Sequence, residues 1–289
     1  MDVIINQLFS GLSMASILLI IALGLAIIYG SMGVINLAHG EFVMLGAYTT
    51  WALQHYLGFG ILFALPFVFL VVAAIGWLIE VTIVQRLYSR PLDTILATWG
   101  IGIMLQQLVR IVIGPESRFV QGPESLQGNL EIGSLVMSNY RIFVIFFSIA
   151  VLIATWALLT RTEFGTKLRA TIQNRNISEC YGIETGRIYS LTFAYGAGLA
   201  GIAGALITPL FSTIPTMGTS LVVDAFLVVI IGGLGSILGA AVAAVMMGEV
   251  TAIFSMVIND TLGRIAVLAC VILLIRLRPR GLFPEKTRG

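Results

Sequence analysis

The stretch VINLAHGEFVMLGAYTTW (34–51) sets an amide, an imidazole and a carboxylate (Asn36, His39 and Glu41) around one glycine in a mostly apolar chain. Such side chains could ligate a metal, move a proton or hold a polar solute. His39 and Glu41 are two residues apart, the wrong spacing for two ligands on one helix face, and no second His–carboxylate cluster accompanies them. The other histidine, His55, sits beside a loop. No GxSxG, HExxH or GxxxxGK[ST] pattern occurs, so hydrolase, zinc-peptidase and phosphate-loop chemistry lack their residues. Two readings of His39 and Glu41 stand: they pin a broken helix through hydrogen bonds, or they line a water-filled route.

Hydropathy sets the elements that must position these groups. Hydrophobic residues are 58% and charged residues 10% of the 289, with a mean hydropathy of +1.01. A soluble domain carries about a quarter charged residues, so most of this surface faces something other than water. The fold class is an all-α integral membrane protein, a polytopic helical bundle read as one transmembrane domain over 1–289. Apolar runs long enough to cross a bilayer fall at 8–29, 40–56, 61–84, 94–113, 141–160, 188–213, 237–258 and 262–277. A shorter run, 223–231, precedes GGLGS. Glycines mark expected helix breaks at 30–33, at Gly40, and at Gly232, Gly233 and Gly235. The first run lacks the basic flank of a signal peptide and is expected to be a retained span.

Basic residues gather in 85–93 (Arg86, Arg90), in 161–187 (Arg161, Lys167, Arg169, Arg175, Arg187) and in the tail (Arg276, Arg278, Arg280, Lys286, Arg288). The positive-inside rule puts these segments in the cytoplasm, with the C-terminus, and puts 114–140 and the N-terminus outside. That parity needs an odd number of crossings, so 223–236 is expected to cross partly as a broken helix. About eight or nine spans result. The net charge of +2 gives no reason to expect a nucleic-acid partner, and Cys180 and Cys270 form no disulfide or metal framework.

A charge at the bilayer centre costs about 2.5–3.5 kcal/mol on insertion scales, so Glu41, Glu80, Asp224 and Glu249 are the informative carboxylates. His39 and Glu41 are expected near the cytoplasmic end of the second span. Asp224 is expected to cap the short helix from outside, Glu80 to sit at the interface, and Glu249 to lie deep. The small-residue stripes GAGLAGIAGA (196–205) and GGLGSILGAAVAA (232–244) suit close helix packing in lipid. The long basic loop 161–187 suits either anionic lipid or a soluble docking partner.

GVINLAHGEFVMLGAY, RNISECYGIETGRI, GAGLAGIAGAL and VVDAFLVVIIGGLGSILGA together resemble the permease subunits of branched-chain amino acid-type ABC importers. DTILATWGIGIMLQQLVRIVIGP and PTMGTSLVVDAFLVV are similar to the urea-type branch of that family. The resemblance implies a plasma (inner) membrane protein working with a second, related permease and two cytoplasmic ATPase subunits that hold ATP and magnesium. An extracytoplasmic protein would deliver solute, and this chain would bind no cofactor itself. It places Asn174, Arg175, Glu179 and Gly182 in the region that docks on the ATPase, and makes alternating access the mechanism, with gates near 30–41 and 223–236. The two breaks hint at an internal repeat. In the urea branch, the path for a neutral solute would draw on Asn36, Thr98, Gln106 and Gln107, beside His39, Glu41, Asp224 and Glu249. The spans hold Arg only at or near their ends, and no Lys or Arg in their interiors, which fits that solute. A branched-chain amino acid is the alternative, and a stand-alone channel or secondary transporter a further one.

Overall fold

In hydrocarbon a backbone can bond only to protein, and a helix does so within its own segment. The computed structural model describes residues 2–132, 135–257, 259–278 and 281–283; of the basic tail, Arg280, Lys286 and Arg288 lie outside the described residues. The described helices are α1 (Asp2–Met32), α2 (His39–Leu57), α3 (Ile61–Thr82), α4 (Pro91–Val112), α5 (Asn139–Arg161), α6 (Glu163–Gln173), α7 (Arg175–Cys180), α8 (Thr185–Ile207), α9 (Met217–Gly232), α10 (Ile237–Val257) and α11 (Asp260–Leu277). Six of them, α1, α3, α4, α5, α8 and α10, are long and apolar enough to cross a membrane by length and composition. The remaining long runs of the sequence correspond to α2 and α11, and the short run 223–231 is the body of α9. The helix over 188–213 stops at Ile207, earlier than expected. A two-stranded antiparallel hairpin, β1 (Asn129–Ile132) and β2 (Leu135–Ser138), pairs Asn129 with Ser138 in what reads as a plain loop.

The centre is built from α1 and α8, both buried along most of their length. Small residues on α8 allow this. Gly196 abuts Gly24 of α1, a Cβ on Gly46 of α2 would lie 2.1 Å from the Gly201 carbonyl, and one on Gly204 would lie 2.0 Å from the Val43 carbonyl. The 196–205 stripe therefore packs within this chain. Phe42 and Phe193 meet edge-on beside it, their ring centres 6.0 Å apart.

One pattern occurs twice: a long helix, an irregular link, a helix, then a span. It runs α1, 33–38, α2, α3 and again α8, 208–216, α9, α10. The two halves interlock, with α3 packed along α8 and α10 along α1. This is the arrangement an internal repeat requires.

The basic segments meet at one end of the bundle. Tyr88 packs edge-on against Tyr189, 5.6 Å between ring centres, and the backbone of Gly281 lies against Gly233. At the opposite end, the loop after α4 joins the α8–α9 link through paired backbone bonds of Arg118 and Thr213 (2.9 and 2.8 Å). Gln54 and Gln121 exchange two more bonds there, at 3.0 and 2.8 Å.

Gly204→Ala should push α2 off α8 and lower the thermal midpoint in detergent, an overpacking loss of about 1–3 kcal/mol. Gly100→Ala, on an exposed face of α4 with open space around it, should leave the midpoint unchanged or raise it slightly. Fluorescence-monitored melting of both variants compares the two; equal midpoints would mean that the glycine contacts contribute nothing.

Candidate functional site

After α1 the chain turns at Gly33, whose φ of +66° suits glycine, and the link 33–38 runs back into the bundle. Its backbone leaves the helical ladder, and side chains take up the freed donors. Thr98 Oγ1 of α4 accepts from the Leu37 N–H at 3.1 Å, and Asn36 Oδ1 accepts from the Ala38 N–H at 3.1 Å. Asn36, His39 and Thr98 are fully buried. His39 then opens α2 and donates from Nε2 to the Ile21 carbonyl at 3.0 Å, since a carbonyl can only accept.

Ile21 lies in the middle part of α1, and Thr98 and Gly102, which flank this start on α4, lie in the middle part of that helix. The beginning of α2 is therefore at mid-depth, which corrects the expectation of the cytoplasmic end. Gly40 does not break a helix: it sits in the first turn of α2, where a Cβ would lie 2.1 Å from the Gly218 carbonyl of α9. The break is the link before it.

The two-residue spacing sends His39 and Glu41 to opposite sides. His39 faces α1, while Glu41 faces the meeting of α4 and α9. Gln106 Nε2 donates to Glu41 Oε1 at 2.7 Å and lies 3.0 Å from Thr219 Oγ1. Glu41 Oε2 is buried and has no hydrogen-bond partner among the described residues. A Cβ on Gly218 would lie 2.9 Å from that oxygen. Three helices thus close on one carboxylate, and displacing Gln106 would open it. Starting about one helical turn further along α2 and α4, a mostly apolar groove of about 490 Å³ lies between them, lined by Leu45, Tyr48, Ala52, Leu108 and Val109. Thr219 and Gly218 were not singled out in the sequence; a hydroxyl beside a glycine in an apolar helix was the available signal.

The other expected residues lie apart. Gln107 is exposed on α4, away from Glu41. Asp224 is well inside α9, which starts at Met217, so it is not that helix's cap. Glu249 is only half-buried on α10. Glu80, in the last turn of α3, is fully buried rather than solvated, and it accepts a hydrogen bond from the Tyr88 hydroxyl. Gly232 ends α9 against Gly239, and Gly233 and Gly235, with φ of +102° and +85°, form the break before α10.

Asn174, Arg175, Glu179 and Gly182 come together around α7. Asn174 Oδ1 caps the helix, accepting from the Ile177 N–H at 3.0 Å, and Gly182, with φ of +82°, closes it. Arg175 bonds Glu179 at 3.1 Å. The Thr185 hydroxyl, and next Arg175, donate to Glu179 and hold its carboxyl below the usual range. Ile172, Ile177 and Tyr181 are exposed along this segment. Behind it the Arg175 guanidinium lies over the Tyr189 ring at 5.7 Å, Tyr189 meets Tyr88, and Tyr88 bonds Glu80. Thr94 Oγ1, in the first turn of α4, donates to the Leu87 carbonyl at 2.8 Å. A contact path therefore runs from α7 to the base of α4.

A family model described as branched-chain amino acid transport system / permease component matches residues 7–276. The chain is 30% identical to the high-affinity branched-chain amino acid transport system permease protein LivH of Salmonella typhimurium, over 96% of this chain and 94% of that protein. It is 28% identical to the corresponding protein BraD of Pseudomonas aeruginosa, over 96% and 95%. To the permease protein LivM of Salmonella typhimurium it is 27% identical, over 94% of this chain and 69% of that one. No solved structure matches.

Glu41→Gln keeps an acceptor for Gln106 but removes the carboxylate. The variant should reach the membrane and melt like the unaltered protein, with solute uptake reduced at least about tenfold, the worth of one charge-assisted bond. Unchanged uptake would show that the carboxylate is dispensable.

Proposed function

Because the chain belongs to the family of branched-chain amino acid transport system permease components, we propose that it is the membrane-spanning subunit of an ATP-driven importer whose solute is an apolar α-amino acid. The observation that carries the solute assignment is the Glu41 cluster beside the α2–α4 groove. A carboxylate suits an ammonium, and the groove suits a hydrocarbon side chain. The urea expectation drew on the resemblance of two stretches to that branch and on the lack of Lys and Arg in the span interiors. The relatives compared are named for branched-chain amino acids, and none carries the urea assignment.

The remaining roles follow from that reading. The basic end faces the cytoplasm of an inner-membrane protein by the positive-inside rule, and the hairpin end receives solute from a delivery protein. A second permease completes the pathway; similarity to both LivH and LivM supports a related pair. Two ATPase subunits provide the nucleotide sites, and α6 and α7, with exposed Ile172, Ile177 and Tyr181, are the surface offered to them. ATP shifts the permease between states only by favouring one of them. Motion of α7 passes through Tyr189 and Tyr88 to α4, which carries Gln106 off or onto Glu41.

Uptake into vesicles holding the complete importer tests the solute. ATP-dependent leucine uptake that excess urea does not reduce supports the amino-acid reading. ATP-dependent urea uptake indifferent to leucine replaces it, and uptake without ATP or partner subunits overturns the importer role. Coupling is read separately from Tyr88→Phe, which keeps the ring contact with Tyr189 and loses the bond to Glu80. ATP hydrolysis should persist while solute moved per ATP falls severalfold; an unchanged ratio would remove Tyr88 from the coupling path.

A further inference from the structure

A primary amide carries two N–H donors on one nitrogen, and Gln106 turns that nitrogen into the Glu41 cluster. Its Nε2 lies 2.7 Å from Glu41 Oε1 and 3.0 Å from Thr219 Oγ1, so a single nitrogen meets oxygens from two different helices. Glu41 is 4% exposed, and its second oxygen, Oε2, has no hydrogen-bond partner among the described residues. Room beside that oxygen depends on Gly218, since a Cβ there would lie 2.9 Å from it. A carboxylate kept only to hold helices together would have both oxygens paired, because an unpaired buried acceptor is costly. The cluster is also open on one side: Gln106 is half-buried and Thr219 is exposed, between α4 and α9.

We propose that the Gln106 amide nitrogen is an internal stand-in for the ammonium of the solute, and that Thr219 is the residue that selects a primary ammonium. The position of Nε2 is already within hydrogen-bond distance of two acceptors, so a nitrogen placed there meets both without any shift of α2 or α9. An ammonium brings three N–H donors where the amide has two. Glu41 Oε1 and Thr219 Oγ1 take the pair that Gln106 gives up, and Glu41 Oε2 gains the third. The positive charge makes the bonds to the carboxylate stronger than those from a neutral amide. Gln106 must swing towards the open side before the solute nitrogen enters, so apparent affinity is lowered by the fraction of the population in which it has done so. An N-methyl group removes one donor and leaves one of the three acceptors unmet, which ranks primary above secondary ammonium and both above a solute with no nitrogen. This inference rests on the amino-acid reading of the solute and adds how the solute's nitrogen is recognised.

The test is equilibrium binding of tritiated L-leucine to the purified complete importer, without its delivery protein and without nucleotide. N-methyl-L-leucine and 4-methylpentanoate are the competitors. N-methyl-L-leucine should compete about tenfold less well than leucine, the loss of one charge-assisted contact, and 4-methylpentanoate less well again. Thr219→Val removes one acceptor at nearly the same shape. It should weaken leucine about tenfold and bring it level with N-methyl-L-leucine; a purely structural Thr219 would move both ligands together and keep their ratio, which overturns its selecting role. Gln106→Ala should bind leucine severalfold more tightly, because the competitor for the acceptors is gone. Unchanged or weaker binding by that variant overturns the stand-in. If a variant does not assemble, the ranking on the unaltered importer decides, and equal competition by leucine and N-methyl-L-leucine overturns the proposal. Leucine uptake by vesicles with no saturable leucine binding overturns this inference and leaves the amino-acid reading intact, whereas urea uptake with neither overturns both.

Discussion

A backbone amide without a partner in hydrocarbon costs several kcal/mol, and the start of α2 meets that condition in the middle of the bundle. The link 33–38 stays there because Thr98 receives the Leu37 N–H, Asn36 receives the Ala38 N–H, and the His39 ring bonds the α1 backbone. These three side chains hold the break. Glu41 shares none of those bonds and points to where α4 and α9 meet. Of the two members of the His–Gly–Glu stretch, the imidazole pins the backbone, while the carboxylate faces Gln106 of α4.

The placement of α2 and α9 depends in turn on glycine. Gly40 and Gly218 bring their first turns into backbone contact, and the glycines of α8 bring α2 down onto its surface. Between apolar helices in lipid, such contacts act through dispersion rather than exclusion of water, so a single methyl at a closed contact is felt. Around this tight centre α4 is held differently. It packs on α2 and on the turn before it, and much of its apolar surface is exposed. An element with few neighbours and a direct bond to Glu41 can move without unmaking the core.

Polar residues in the spans sort by whether their bonds stay within structure. Asn36, Thr98 and His39 mostly serve backbone groups. Gln106 serves both Glu41 and Thr219, and Tyr88 and Glu80 serve the junction beneath α4. Glu80 shows why distance from a basic loop is a poor guide to exposure: Tyr88 lies over it from the turn, and burial follows from that cover rather than from depth.

Composition and hydropathy were enough to require a helical membrane bundle, because a chain with so few charges cannot be wetted and an open backbone cannot be left in lipid. Run lengths located the helices, and the basic residues marked a common end. Depth and partnership were not legible. That α2 begins halfway along α1, that Gly40 is a contact and not a break, and that Asp224 lies inside α9 all depend on how helices distant in sequence stack. The union of Glu41, Gln106 and Thr219 was decided only when α2, α4 and α9 packed together, because a hydrogen bond between helices depends on their relative height and rotation, which no single segment specifies.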